Sequence, residues 1–401
     1  MSSRIEPSLL GKMSERHVLA ALQAHGTMSR AEVARRCGLS APAVSRAVSV
    51  LLRSGLVEET AEVRPTGGRP ATQLRLARQS AQVLGVAVDA DRCRVASASL
   101  DGVLHGPPLD VPTPDTYDAL IEQLVTLAMR LERPEVSTLG VGLSLPGLLD
   151  YRSGTAVLSP NTPITDGHCP AADLGAALGH PCVMFQESHA LCLAEQHHGL
   201  ARGLGDFAML DIHTGVGLGV VSGGRLLTGH SGLAGELGHI TVVPDGRRCG
   251  CGNSGCLETV ASDASLALRV SRRLGRNVDI DEVIALAEAN SIDLRADLDD
   301  MCKYLSIGVA AVVNLFNPSR LFVHGRFFDA DEGLFARMVD QAARRCLRPT
   351  FADCRIVRAT GQKYQGAVAG IIQHLTRNFA PTLEFETLCF TSEICDAIVS
   401  P

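Results

Sequence analysis

A chain of 401 residues exceeds the usual single-domain size and supplies two or three compact units, each with its own core. With 46% hydrophobic and 20% charged residues, 39 Gly and no Trp, the composition is that of a soluble globular protein and excludes a disordered one. No apolar run nears the ~18 residues that span a bilayer, and residues 1–12 lack a signal peptide's hydrophobic stretch, so a cytoplasmic chain without membrane association is expected. The net charge of −6 is uneven: residues 1–78 carry 12 Lys and Arg against 6 Asp and Glu, the remainder 25 against 37. A basic head on an acidic body suits contact with a polyanion.

The head opens with an amphipathic stripe, Val18, Leu19 and Leu22, that predicts a helix from Ser14 to His25, stopped by Gly26. Ser29 and Glu32 have capping-box spacing and open a second helix running to Cys37. Gly38 and Leu39 then turn the chain into a third, with Ser40 as its cap and Pro42 in its first turn. Two short helices joined by a tight glycine turn make a helix-turn-helix, whose second member enters the DNA major groove. Val44, Val48, Leu51 and Leu52 are expected in the core, leaving Ala43, Ser45, Arg46 and Ser49 to face the duplex, with Arg46 reaching a phosphate or a guanine edge.

Alternation in residues 56–59 and again in residues 73–77 predicts two strands, and the segment between them reads as a wing. Its tip, Gly67-Gly68-Arg69-Pro70, places Arg69 to enter a narrow minor groove. A double-stranded DNA operator is therefore the expected partner of the head; a helical oligomerisation domain is the competing reading.

From Val83 onward the pattern changes to strands alternating with helices. Strands are expected at 83–89, 94–99 and 138–144, with a helix from Tyr117 to Leu131 between the second and third. Paired strands at 207–213 and 217–221, a helix over 302–316 and a strand from Arg320 describe a second, similar lobe, with a cleft between the two. Thirteen cysteines are many for a reducing compartment, where disulfides are disfavoured. Cys249, Cys251 and Cys256 fall within eight residues, downstream of His239. One imidazole and three thiolates at His-x9-Cys-x-Cys-x4-Cys spacing, with glycines that let the backbone wrap, predict a closed, structural zinc site.

The run Gly235-Glu-Leu-Gly-His239 followed by Cys249-Gly-Cys-Gly-Asn-Ser-Gly-Cys-Leu-Glu258 resembles the signature of the ROK family of repressors and sugar kinases. Likeness extends over the Thr214 to Gly219 loop and Asn317-Pro318, and the added head points to the repressor branch. The resemblance implies an N-terminal winged helix-turn-helix joined to an α/β two-lobed sugar-kinase-like domain of the actin and hexokinase type. The expected divisions are residues 1–78 for DNA binding, 79–190 and 191–378 for the two lobes, and 379–401 as a tail of uncertain role.

By the same resemblance, Gln186, Glu187, Glu236, His239 and Glu258 contact a sugar or sugar-phosphate effector, with His239 also a metal ligand. The family's kinases cradle phosphates on an Asp-x-Gly-Gly-Thr-Lys turn; here residues 89–94 read Asp-Ala-Asp-Arg-Cys-Arg, without either glycine. Their late glycine-rich loop has become His324-Gly-Arg-Phe-Phe328, and Gln186-Glu187 replaces an asparagine followed by the catalytic aspartate. One extra methylene moves a carboxylate by about 1.5 Å, which binding survives more easily than catalysis. The expectation is thus a regulator that is not an enzyme, working as a homodimer or higher homo-oligomer. A sugar kinase with a DNA-binding head and a regulator controlled by a partner protein are the rivals.

Overall fold

In the computed structural model, which describes residues 7–60 and 72–378, the first helix α1 (Pro7–His25) buries Val18, Leu19 and Leu22 as its stripe requires. A two-residue strand β1 (Met28–Ser29) leads into α2 (Arg30–Cys37), whose start is held reciprocally: Glu32 N donates to Ser29 Oγ and Ser29 N to Glu32 Oε2. Helix α3 (Ala41–Arg53) is capped by Ser40, which accepts from Ala43 N. Its buried side is Val44, Ala47, Val48 and Leu51. Leu52, expected beside them, is only partly buried, because Ala47 takes the centre of the stripe and leaves Leu52 on its flank.

Strands β2 (Val57–Thr60) and β3 (Gln73–Leu76) pair antiparallel, with β1 on the other side of β3. The expected wing tip with Arg69, and the tail at 379–401, lie outside the described residues.

A second compact unit runs Arg78–Gln373. Its first sheet is built from β4 (Ala81–Val88), β5 (Arg92–Ala98) and β6 (Leu109–Pro112), then, after α4 (Tyr117–Leu131), from β7 (Ser137–Leu145). A small hairpin β8 (Leu148–Asp150) and β9 (Thr155–Leu158) and helix α5 (Pro170–Leu178) precede the last strand, β10 (Cys182–Gln186), and α6 (Glu187–His197) follows it without a loop. The strand order is β10-β7-β4-β5-β6, antiparallel from β4 to β6 and parallel from β4 to β10.

The second sheet repeats that plan. Strands β11 (Phe207–Ile212), β12 (Val216–Ser222) and β13 (Arg225–Leu226) form the meander; helices α7 (Asp263–Leu274), α8 (Ile280–Glu288) and α9 (Arg295–Phe316) intervene; and β14 (Arg320–Gly325), α10 (Leu334–Ala343), α11 (Arg348–Asp353) and β15 (Arg355–Arg358) complete it. Its order is β13-β12-β11-β14-β15, with β14 and β15 parallel to β11. Each sheet carries its own apolar core: Leu84, Val86, Leu124 and Leu143 in the first lobe, Leu210, Leu305, Val309 and Val323 in the second.

The final helix α12 (Lys363–Asn378) packs on the first lobe's sheet although it follows the second lobe in sequence. Glycine permits this. A Cβ on Gly142 would lie 1.9 Å from the Ala367 carbonyl oxygen, so only a bare backbone lets helix and sheet close. Residue 190, expected as the first lobe's limit, falls inside α6. Among the described residues no helix is long and apolar enough to cross a membrane.

Candidate ligand cleft, metal cluster and nucleic-acid interface

Gln186 ends β10 and Glu187 begins α6, so their side chains are placed by an abrupt strand-to-helix change. Tyr151, just beyond β8, fixes that junction: its hydroxyl accepts from Gln186 N at 2.8 Å and lies 2.9 Å from His189 Nδ1. Burial pushes His189 down to about 4, so the ring is neutral near pH 7. Gln186 Nε2 in turn donates to Glu236 Oε1 at 2.9 Å.

Glu236 and His239 belong to a stretch that hugs β12. Gly235 has φ +102°, and a Cβ there would meet the Leu218 carbonyl oxygen at 2.1 Å, so a side chain is excluded on both counts. The close approach turns Glu236 and His239 toward the cleft. His239 has two faces: Nε2 lies 3.6 Å from Glu236 Oε2, while Nδ1 lies 3.6 Å from Cys249 Sγ and 3.7 Å from Glu258 Oε1.

The ligand atoms of His239, Cys249, Cys251 and Cys256 all fall within 4.8 Å of one another, the one such metal-binding cluster among the described residues. Burial pushes the Cys249 thiol up, and it donates to Glu258 Oε1 at 2.9 Å. A metal ion would displace that proton. Three soft sulfurs and one imidazole fit a tetrahedral d¹⁰ ion and offer no oxygen-rich shell for a harder one.

All five residues implicated in ligand contact, Gln186, Glu187, Glu236, His239 and Glu258, line one open cleft. Sequence reasoning missed Asn161, Asp211 and His213, which also line it. It missed Lys363 as well. This first residue of α12 is only 6% exposed, and its ammonium is paired with three carboxylates: Asp89 Oδ1 at 2.6 Å, Asp211 Oδ2 at 3.5 Å and, in close contact, Glu187 Oε1. Burial alone would raise all three acids. For Asp89 it is outweighed by Lys363, which holds the carboxyl down at about 2; for Asp211 the Lys363 charge and the His324 hydrogen bond prevail, and its value is lowered too. Glu187 goes the other way, to about 8, because burial and its two acidic neighbours exceed what Lys363 returns.

Residues 324–328 form no open turn. Arg326 N and Phe327 N donate to the buried Asp263 carboxylate at the start of α7, and the Phe327 and Phe328 rings are buried. In the head, Ser45, Arg46 and Ser49 are exposed on one side of α3 and Ala43 is partly so; Ser49 Oγ donates to Ser45 O.

Residues 85–376 match the model of the ROK family. The chain belongs to the ROK family. Residues 12–69 match the MarR family model, which makes the head a MarR-like winged helix-turn-helix attached to a ROK domain. Among characterised relatives, the DNA-binding transcriptional dual regulator NagC of Escherichia coli is 26% identical over 364 residues, covering 88% of this chain and 89% of NagC. A xylose repressor of Bacillus spizizenii is 27% identical, over 81% of this chain and 85% of its own. Of solved structures, a ROK family transcriptional regulator described as a homologue of the Escherichia coli MLC protein superposes with a TM-score of 0.76 at 25% identity, covering 92% of this chain and 97% of that one. A ROK hexokinase from Thermus thermophilus, 31% identical with a TM-score of 0.62, covers 74% of this chain and 99% of its own. The regulators thus extend over more of this ROK protein than the kinase does.

Proposed function

We propose that this ROK protein is a transcription regulator, most simply a repressor, of carbohydrate-metabolism genes, controlled by a sugar-class ligand in the cleft between its two lobes. The observation that carries the reading is the double role open to His239, with one ring nitrogen in the thiol cluster and the other beside Glu236 in the cleft. A zinc ion held by His239, Cys249, Cys251 and Cys256 would supply rigidity, and with four protein ligands it leaves no position for catalysis. The likeness to an N-acetylglucosamine repressor and to a xylose repressor supports the sugar class.

Ala43, Ser45, Arg46 and Ser49 of α3 are the proposed DNA contacts, and Arg69 the minor-groove contact. A homodimer would present two heads to half-sites about 34 Å apart, and closure of the cleft on a sugar would change that spacing and release the operator in the cytoplasm. We also infer that the chain is not a kinase. Glu187, in the position of the family's base, is paired with a built-in lysine, and residues 324–328 are filled with aromatic rings.

The test is thermal-shift screening of the full-length, metal-retaining protein against monosaccharides and amino sugars, with and without Mg-ATP, followed by operator binding with each hit. A sugar that stabilises the protein and weakens operator binding supports the sensor. ATP-dependent stabilisation with formation of a sugar phosphate would overturn the non-enzyme reading.

A further inference from the structure

Apart from its two histidines, the ionisable side chains that line the cleft are all acids. Glu187, Asp211, Glu236 and Glu258 face it, and no lysine or arginine does so among the described residues. The cation nearest the floor, Lys363, is already matched by Asp89, Glu187 and Asp211, so its charge is spent inside the protein. His213 is kept neutral by burial and by the Lys363 charge. Helix α6 opens on an acidic residue, Glu187, in its first turn, which disfavours a second anion there.

Hydroxyl recognition, by contrast, is well provided for. Carboxylates accept from sugar hydroxyls, Asn161 and Gln186 both donate and accept, and Glu258 Oε1 already accepts from Cys249 Sγ at 2.9 Å, leaving Oε2 toward bare Gly215. Built this way, the site rewards many O–H or N–H donors and penalises an extra negative charge.

Resting on the sensor reading above, we infer that the effector is an unphosphorylated monosaccharide, neutral or carrying an amino group, and that the cleft rejects the corresponding sugar phosphate. Discrimination lies in the acidic lining, with Lys363 withheld from the ligand by its three carboxylate partners.

Calorimetry on the full-length, metal-retaining protein tests this with matched pairs: glucose, N-acetylglucosamine and glucosamine, each beside its 6-phosphate, and xylose beside its 1-phosphate. The expected result is that in any pair that binds, the free sugar binds at least tenfold tighter, and that Glu236→Gln narrows the ratio while keeping the fold, as judged by its melting temperature. If a phosphorylated member binds as tightly as its partner or tighter, the sensor reading stands and the charge inference is overturned. Discrimination unchanged in both Glu236→Gln and Glu258→Gln removes the acidic lining as its cause. If no member of any pair binds at millimolar concentration, the sensor reading fails and this inference fails with it.

Discussion

Lys363 Nζ lies 2.6 Å from Asp89 Oδ1, joining the first residue of the last described helix to the residue just after the first strand of the body, 274 positions earlier in the chain. The pair is buried and shared with Glu187 and Asp211, so its removal leaves acids without a counter-charge. Truncating one member of such a set costs about 3–5 kcal/mol. Lys363→Met is therefore expected to lose stability of that order at pH 7. The sign with pH follows from Asp89 and Asp211, both held below their unfolded values: their contribution is present above the ordinary carboxylate range and is lost as pH falls toward about 2. The gap between wild type and Lys363→Met should accordingly shrink on acidification through the carboxylate range, which urea titrations at about pH 5 and pH 3 would measure.

His189 gives the opposite kind of group, a base whose folded value is lowered to about 4 from the usual 6.5. Its stabilising effect is complete above 6.5 and declines as pH falls toward 4, since the unfolded chain takes up the proton first. The share lost between pH 7 and 5 is about 2 kcal/mol. His189→Gln, whose amide can still hydrogen-bond the Tyr151 hydroxyl, should flatten that part of the stability profile. Comparing the two proteins by denaturant unfolding across the range checks it.

Metal content is the third measurement. Elemental analysis should find one zinc per chain, and Cys251→Ser should lower that content together with the melting temperature. Because His239 spans the cluster and the cleft, chelation should also weaken ligand binding. A wild-type protein free of metal, or a variant with unchanged melting temperature, would contradict the structural role.

In the head, Arg46→Ala should weaken operator binding by about 1–3 kcal/mol if the guanidinium reads a base edge, and reduce the salt slope by about one if it meets a phosphate. Its exposure on α3 means the fold itself should be untouched. Fluorescence anisotropy at several salt concentrations separates the two roles, and an unchanged affinity would remove Arg46 from the interface.

Much of this molecule was legible in short stretches of chain. The Ser29 and Glu32 capping box, the span of Tyr117–Leu131 and the His239 to Cys256 cluster all rest on residues within about eighteen positions of one another, where periodicity and spacing constrain geometry directly. The cleft residues were also found, but through a family motif, not through any local pattern that says five polar groups will converge.

Tertiary structure alone decided the rest. A lysine opening a helix reads in sequence as a solvated charge, and nothing near Lys363 points to Asp89, Glu187 or Asp211, the last two being a helix-start and a strand residue of different lobes. Tyr151 likewise looks like an ordinary turn residue until Gln186 and His189 are brought to it. Local spacing determines caps, turns and a clustered metal site because neighbours in sequence cannot avoid one another. Buried charge networks are set only when sheets and helices have packed, since it is the removal of water by distant segments that makes those charges need each other.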